Sequence, residues 1–470
     1  MSRFLLLLLS FLIVINANSQ SLFEDASMGD DLNINSSKSS VEFNGYGRAS
    51  VFGGGESYDI ANAFAEISLQ TKLKSNYALL NSDIRLRKGV AFKEDLQLIE
   101  FKELYAGYSD LSFDFLAGYQ LVSWGRTDGF NPTNNLNPND LFFLTSDPDD
   151  QIMSNLMLRL RYRFSSAIDI DIVGIPYFKP SNYRFDLFDL SQEMKLEEFF
   201  ISLPKVNIDV QFNPLTIPEK KLSNSSLGAR LNFDLQKIGF AISYFSGYDP
   251  FHGFDLDTFS LDVTNLSKPI VVKYSPKVYA KKTIGFDFAM PINDLLIKGE
   301  FAYNIIKNED SVMYIPNSDL YYVFGVEKMW NDFVFIGQFI GRTVTDFTPL
   351  TEPVLDLYDL TKLPTYANQM VDYQSRMFNR LIFNQAAENN YAVSLTLTKS
   401  FAYDTWNAEM TGYYNITTKE YLLRPKISWK INDYLSVNFG GSYMSAKNQT
   451  LFKFSSKVLN GVFAEMKVAF

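Results

Sequence analysis

Apolar and polar residues alternate along this chain in repeated segments of about ten to thirteen residues. Leu156, Leu158, Leu160, Tyr162 and Phe164 fall on one face of such a segment, and Asn155, Met157, Arg159, Arg161 and Arg163 on the other. An extended chain sends successive side chains to opposite faces, so one face suits lipid and the other water. Leu227, Ala229, Leu231, Phe233 and Leu235 repeat the pattern against Gly228, Arg230, Asn232, Asp234 and Gln236. Leu80, Ser82, Ile84 and Leu86 stand against Asn81, Asp83, Arg85 and Arg87, and Ile297, Phe301, Tyr303 and Ile305 against Lys298, Glu300 and Asn304. A water-soluble sandwich also alternates, but its strands average only about five or six residues.

The connections separate the two architectures. Short turns fall at Lys74-Ser75-Asn76, Ser109-Asp110-Leu111, Ser165-Ser166-Ala167, Gln236-Lys237, Ile292-Asn293-Asp294, Asn331-Asp332 and Asn432-Asp433. Long loops fall near 53–59, 127–150, 177–224, 248–275, 306–318, 345–389 and 447–457. Short periplasmic turns opposed to long outer loops mark a membrane barrel. The fold expected is all-β: a transmembrane antiparallel β-barrel of about 16–18 strands, with long extracellular loops and one or two short loop helices. An even strand count returns both chain ends to the periplasmic side. Helical spacing of Tyr366, Met370, Tyr373, Met377 and Leu381 after Pro364 predicts one helix, and Leu187–Leu203 is a second candidate.

The chain ends fit this reading. Arg3, an apolar run from Phe4 to Ile15 and the small residues Ala17-Asn18-Ser19 read as a secretory signal over 1–19. Residues 20–40 read as a polar periplasmic leader, too short for a plug domain, and 41–470 as the barrel. The last segment alternates Val462, Ala464, Met466, Val468 and Phe470, with Glu465 and Lys467 on the other face. A terminal strand ending on Phe470 looks like the signal that outer-membrane barrels present to their assembly machinery. The cell outer membrane is the compartment expected, with lipid and that machinery as partners.

Composition narrows the function. There is no cysteine, which removes disulfide scaffolds, thiol catalysis and thiolate metal sites. The net charge of −10 without a basic block argues against nucleic acid. Phe (42) and Tyr (27) are abundant, as aromatic girdles require. His252, the single histidine, lies in Phe251-His252-Gly253-Phe254-Asp255 with no G-x-S-x-G tract, so an exposed loop histidine is the ordinary reading and no enzyme is expected. Asp147 to Asp150 lacks the spaced ligand pattern of a calcium loop and reads as a solvated acidic turn. No cofactor or metal is expected.

The sharpest tract runs from Trp124 through Gly125, Arg126, Thr127, Asp128, Gly129, Phe130, Asn131 and Pro132 to Pro138, Asn139 and Asp140. Its Gly, Asn, Asp and Pro content specifies tight turns. We read 124–150 as a loop folded inward to narrow the lumen, with Trp124, Arg126, Asp128, Asn131 and Asp140 as constriction residues and Arg126 paired to Asp128. Arg85, Arg87, Arg159, Arg161 and Arg163 face the lumen. They form either a track for anions or, with Asp169 and Asp171 on the next strand, a ladder of ion pairs. The proximity of the acids favours the ladder. The tract resembles one in a poorly characterised family of porin-like Gram-negative outer-membrane barrels, which carry W-G-(R or K)-x-D-G, then N-P, then P-x-D. Glu103-Leu104-Tyr105, Ala117-Gly118-Tyr119-Gln120 and Asp147-Pro148-Asp149-Asp150-Gln151 are similar to that family too. The resemblance spans roughly 100–165 and implies a presumed channel, of a kind sometimes encoded beside a large inner-membrane export permease, which makes such a permease a candidate partner. Two functions are therefore carried forward: an outer-membrane channel or transporter for small or amphipathic solutes, and a non-conducting component of an envelope export or assembly complex. The sequence leaves the oligomeric state open.

Overall fold

The computed structural model describes residues 40–188, 208–260, 268, 270–308, 311–354, 359–447 and 450–470. The expected signal peptide and leader, and most of Leu187–Leu203, lie outside these residues. Strands follow in the order β1 (Ser40–Gly53), β2 (Ile60–Ser75), β3 (Ala78–Ala91), β4 (Glu94–Ser109), β5 (Phe113–Gln120), β6 (Asn155–Ser165), β7 (Ile168–Ile175), β8 (Ile208–Phe212), β9 (Ser226–Leu235) and β10 (Ile238–Ser260). They continue as β11 (Ile270–Ile292), β12 (Leu295–Ile305), β13 (Asp319–Trp330), β14 (Phe333–Val344), β15 (Asn389–Phe401), β16 (Trp406–Asn415), β17 (Glu420–Lys430), β18 (Leu435–Ser445) and β19 (Gly461–Ala469).

Every strand but β8 pairs antiparallel with its neighbours, β7 joining β9 directly, and β19 closes on β1 from Tyr46↔Ala469 to Gly53↔Val462. The result is a closed barrel of eighteen strands. Closure removes the unpaired backbone edges that lipid cannot satisfy. At the seam Gly45 and Phe470 exchange both backbone hydrogen bonds at 2.8 Å.

The alternation read from sequence is the inside–outside division. Leu158, Tyr162 and Phe164 are 51%, 43% and 60% exposed on the outer surface, while Arg159, Arg161 and Arg163 turn inward to carboxylates. Such apolar exposure is stable only against hydrocarbon. Aromatic rings crowd the short-turn rim: Tyr77 stacks on Tyr108, Phe233 on Phe240, and Trp406 lies parallel to Trp429 with centroids 5.1 Å apart. Flat amphipathic rings favour this headgroup level. The molecule is a membrane-spanning barrel of the Gram-negative outer membrane, and its long-loop rim faces outward.

Residues 248–260 and 270–275 depart from the sequence reading. They are not a loop but the upper half of a β10–β11 hairpin, each strand 23 residues long. A barrel span needs only about nine to eleven residues, so the hairpin stands well above the membrane. β8 pairs parallel with its β11 edge, from Ile270↔Ile208 to Tyr274↔Phe212. Helix α1 (Leu363–Ile382), the element expected after Pro364, packs on β10 of the hairpin; α2 (Leu451–Leu459), which the sequence reading left as loop, packs on β18 and meets α1 through Phe454 and Phe378. Asn379 of α1 serves the Phe254 backbone as a strand would, accepting from its N–H and donating to its carbonyl, both at 2.8 Å. Phe185, Phe254, Tyr274, Val371, Phe378 and Phe454 are buried together there, and each such ring contributes about 1.5–3 kcal/mol by leaving water.

Candidate functional site

The loop between β5 and β6, residues 121–154, folds into the lumen and meets the wall on almost every side. Three apolar contacts hold it. At its root, Val122, Trp124 and Leu136 pack on Met157, Val173, Ile175 and Phe245 of β6, β7 and β10. At its tip, Phe130 packs beside Val323, Ile340 and Ala392 and stacks on Tyr413 of β16, centroids 5.5 Å apart. On the return limb, Phe142 and Leu144 join Phe52, Ala61, Phe92, Phe463 and Val458 of α2. A channel wall is ordinarily polar; here it carries apolar patches where the loop lands.

The deepest anchor is Glu300 of β12, whose side chain is fully enclosed. Its Oε2 accepts from the backbone N–H of Arg126 (3.1 Å) and Thr127 (3.3 Å) and from the Thr127 hydroxyl (2.8 Å). Its Oε1 accepts from the Thr133 N–H and hydroxyl, both at 2.8 Å. Gly125 makes this capture feasible. Its φ of +105° suits only glycine, and a Cβ there would meet the Glu300 carboxylate at 2.5 Å. Gly228 of β9 is the second required glycine, because a Cβ would strike the Trp124 ring at 2.7 Å.

Charged contacts continue around the ring. Arg126 does not pair with Asp128 as the sequence suggested. It reaches across to Asp287 of β11 (3.0 Å) and Asp234 of β9 (2.9 Å), while Asp128 binds Lys298 of β12 at 2.8 Å. Residues two apart on a turn diverge, and carboxylates from two strands stood within reach of Arg126 while a lysine from a third reached Asp128. Lys298 and Asp234 both lie near the short-turn rim, so this limb descends most of the barrel's height. Trp124 Nε1 donates to Asp171 at 3.3 Å. Asn131 Nδ2 donates to the Thr127 carbonyl, tying the turn internally, and Asp140 Oδ1 accepts from the Phe142 N–H. Burial pushes the Asp140 carboxyl up from its ordinary range.

The return limb is latched by Asp150. Its carboxylate bridges Arg48 of β1 and Arg85 of β3 (2.8 Å to the latter), and the same arginines hold Glu66 and Asp83. The solvated acidic turn expected at 147–150 holds for Asp147 to Asp149, which are exposed and form a short 3-10 turn capped by Asp147, and is corrected at Asp150, which is enclosed by cations. Burial opposes its charge, but Arg48 and Arg85 overcome that and hold the carboxyl well below the usual carboxylate range. Lys102 of β4 donates to the carbonyls of Asp150 (2.9 Å) and Ile152 (2.6 Å). Arg424 of β17 donates to the Thr145 carbonyl at 2.9 Å, and Ser146 to Glu465 of β19 at 2.7 Å.

The lumen arginines are all paired. Arg159 and Arg161 make two-pronged contacts to Asp171 and Asp169 at 2.9–3.0 Å, and Arg163 binds Asp114. Arg87 binds Glu66 and Glu100 and lies 3.6 Å from the Phe143 ring centroid. The geometry is the ladder rather than a bare cationic track. His252 is also corrected. It is a buried residue of β10, 6% exposed among Tyr183, Phe185 and Phe254, not an exposed loop histidine. Among the described residues no cluster of His, Asp or Glu could hold a metal ion.

Glu300, Asp287, Arg48 and Glu465 were missed as anchors. Alternation places Glu300 on the inner face, but nothing local distinguishes it from other inward carboxylates.

No protein-family model matches the chain, and no curated protein matches it in sequence. Solved structures share the architecture. OccAB3 of Acinetobacter baumannii superimposes with a TM-score of 0.51, covering 92% of this chain and 98% of its own at 9% identity. OccD3 (OpdP) of Pseudomonas aeruginosa gives 0.49 over 92% and 90% at 6% identity. Wzi, described as an outer-membrane protein involved in group 1 capsule assembly in Escherichia coli and a carbohydrate-binding β-barrel, gives 0.43 over 91% and 84% at 9% identity. The likeness to OccAB3 is one of fold.

Proposed function

We propose that this barrel is an outer-membrane channel for small or amphipathic solutes, with the loop 121–154 as the fixed constriction that sets what passes. The observation that carries the reading is the anchoring of that loop to opposite walls: Glu300 and Asp287 on one side, Arg424 and Glu465 on the other. An eighteen-stranded barrel is wide enough for an aqueous lumen. Between the contacts, inward charges remain partly open to water: Lys426 and Glu409 keep 20% and 31% of their side-chain surface, and Glu327 33%. Polar wall left wet beside a rigid strap is what selective conduction needs.

A second reading, a non-conducting partner of an export or assembly complex that includes an inner-membrane permease, is favoured by the packed helices and hairpin over the outer mouth. Phe470, holding the seam, is our candidate for the assembly signal. Conductance of the purified barrel in planar bilayers separates the two readings. A steady current that rises when 127–146 is deleted supports a constricted channel. Silence from both folded proteins would overturn it in favour of the closed partner.

A further inference from the structure

The charges inside the barrel are of two kinds. Over much of the wall they are closed into pairs: Arg159, Arg161 and Arg163 with their aspartates, and Arg48 and Arg85 around Asp150. A closed pair presents a dipole to a passing ion and almost no net charge. The sector from β13 to β17 differs. Glu327 is three residues from Trp330, Glu409 three from Trp406 and Lys426 four from Lys430, the short-turn ends of their strands. The three side chains therefore stand at nearly one height on the inner face, and they are the partly wet charges noted above. Between them β15 offers Thr396 and Thr398 opposite Ile336 and Val334 of β14, which are neutral.

The edge of the loop that faces this sector is acidic. Asp128 meets Lys298 with 41% of its side chain open. Asp147 and Asp149 are exposed, and among the described residues nothing bonds to the Asp149 carboxylate. Asp149 lies in the field of Lys426, and Asp147 in that of Arg424. Lys102, behind Asp149, is buried and has Glu100 and Glu103 beside it. The signs around the opening do not cancel. Its carboxylates are Asp128, Asp147, Asp149, Glu327 and Glu409. Its cations are Lys298, which two of those carboxylates share, Lys426, and Arg424, which is committed to the Thr145 carbonyl. Five negative charges against three positive leave the sector two charges negative.

We propose that the open side of the lumen favours small cations, ammonium-bearing solutes among them, and that Asp149 is the residue that sets this preference. The proposal rests on the reading of the barrel as a conducting channel. A unit charge about 7 Å from an ion's path through water changes the local ion concentration about threefold, upward for cations and downward for anions. Asp149 is exposed, unbonded and set on a loop anchored to both walls, so its charge acts on the passage undiminished by a partner.

Reversal potentials of the full-length barrel in planar bilayers test this, in a tenfold gradient of potassium chloride kept below about 0.1 M to limit screening. We expect potassium to be favoured over chloride, and methylammonium to carry more current than acetate. Asp149→Asn should lower the potassium-to-chloride permeability ratio about three- to tenfold, and Asp149→Glu should keep it. Lys426→Gln should raise it. Single-channel current should stay within about a factor of two of the parent in each variant, because one point charge shifts ion concentration by no more than that order and the strap itself is untouched. Silence from the folded barrel would remove the channel reading and the proposal with it. A steady current that prefers chloride, or a ratio unmoved by both Asp149→Asn and Lys426→Gln, would overturn the cation preference and leave the channel standing.

Discussion

Replacing Glu300 by Gln keeps its shape and removes its charge, and it should undock the first limb of the loop 121–154. Five donors converge on the carboxylate, three from the backbone of Arg126, Thr127 and Thr133 and two from threonine hydroxyls. The Thr127 hydroxyl also faces the Phe130 carbonyl at 2.5 Å, so its one proton is shared. A hydrogen bond to a charged group contributes about 1.5–3 kcal/mol and a neutral one about 1. In the amide, one oxygen becomes an NH2 facing donors. Either two or three partners lose their acceptor, hydroxyls can turn to compensate, and the rest weaken. The net loss is about 3–5 kcal/mol of docking free energy. At about 1.4 kcal/mol per tenfold, that shifts the docked-to-undocked ratio by roughly two to three and a half orders of magnitude. Single-channel recording should show larger or fluctuating current levels in Glu300→Gln, and trypsin should cut at Arg126 where it spares the parent. Asp433→Asn, an exposed carboxylate on a short turn with only a 3.5 Å contact to Lys430, serves as control and should show neither change. A Glu300→Gln barrel with parental current and parental protease resistance would refute the anchoring argument.

Three further outcomes follow from the same geometry. Gly125→Ala should produce the same open or flickering current, because the added methyl needs an unfavourable φ and displaces the Glu300 carboxylate. Arg161→Gln alone should shift reversal potentials toward cations by exposing Asp169, while Arg161→Gln with Asp169→Asn should return them to the parental value; a persistent shift in the double variant would contradict the ladder. The Asp150 latch should survive mild acid. Its carboxyl is depressed in the folded state, so its stabilisation is present above the unfolded carboxylate value of about 4 and is lost only as pH falls through the lower folded value. Protease resistance at Asp150-proximal sites should match at pH near 7 and near 5, whereas Asp150→Asn should lose it at both.

The spanning strands were legible because a barrel wall imposes a period of two: the register from Leu158↔Gly174 to Arg163↔Asp169, for example, keeps that period, and only the bulge between Arg163 and Ser165, beside the turn, breaks it. The α1 helix was legible from its own spacing. The tall hairpin was not. Asp249, Pro250 and Gly253 carry turn chemistry, and the register does shift between Tyr248 and His252, yet α1 and β8 cover the hairpin and hold it extended. The loop was recognisable as special, but its partners were not. Glu300 lies 167 to 174 positions from its donors and Glu465 lies 319 from Ser146, distances over which local patterning carries no information.

Closure of the barrel is coupled to the place where its strap is tied. The strap emerges after the fifth strand, yet it is fastened to β17, β18 and β19 through Thr145 and Ser146, and to β1 through Asp150. Those strands flank the seam. The loop's contacts to those strands are complete only when the seam is closed, with Arg48, Asp150 and Glu465 meeting at the join, so docking of the loop and closure of the wall stabilise each other. It acts as a mandrel for the wall as well as an obstacle in it, so a chain robbed of the loop should form its closed, heat-resistant species more slowly even where the finished barrel conducts more.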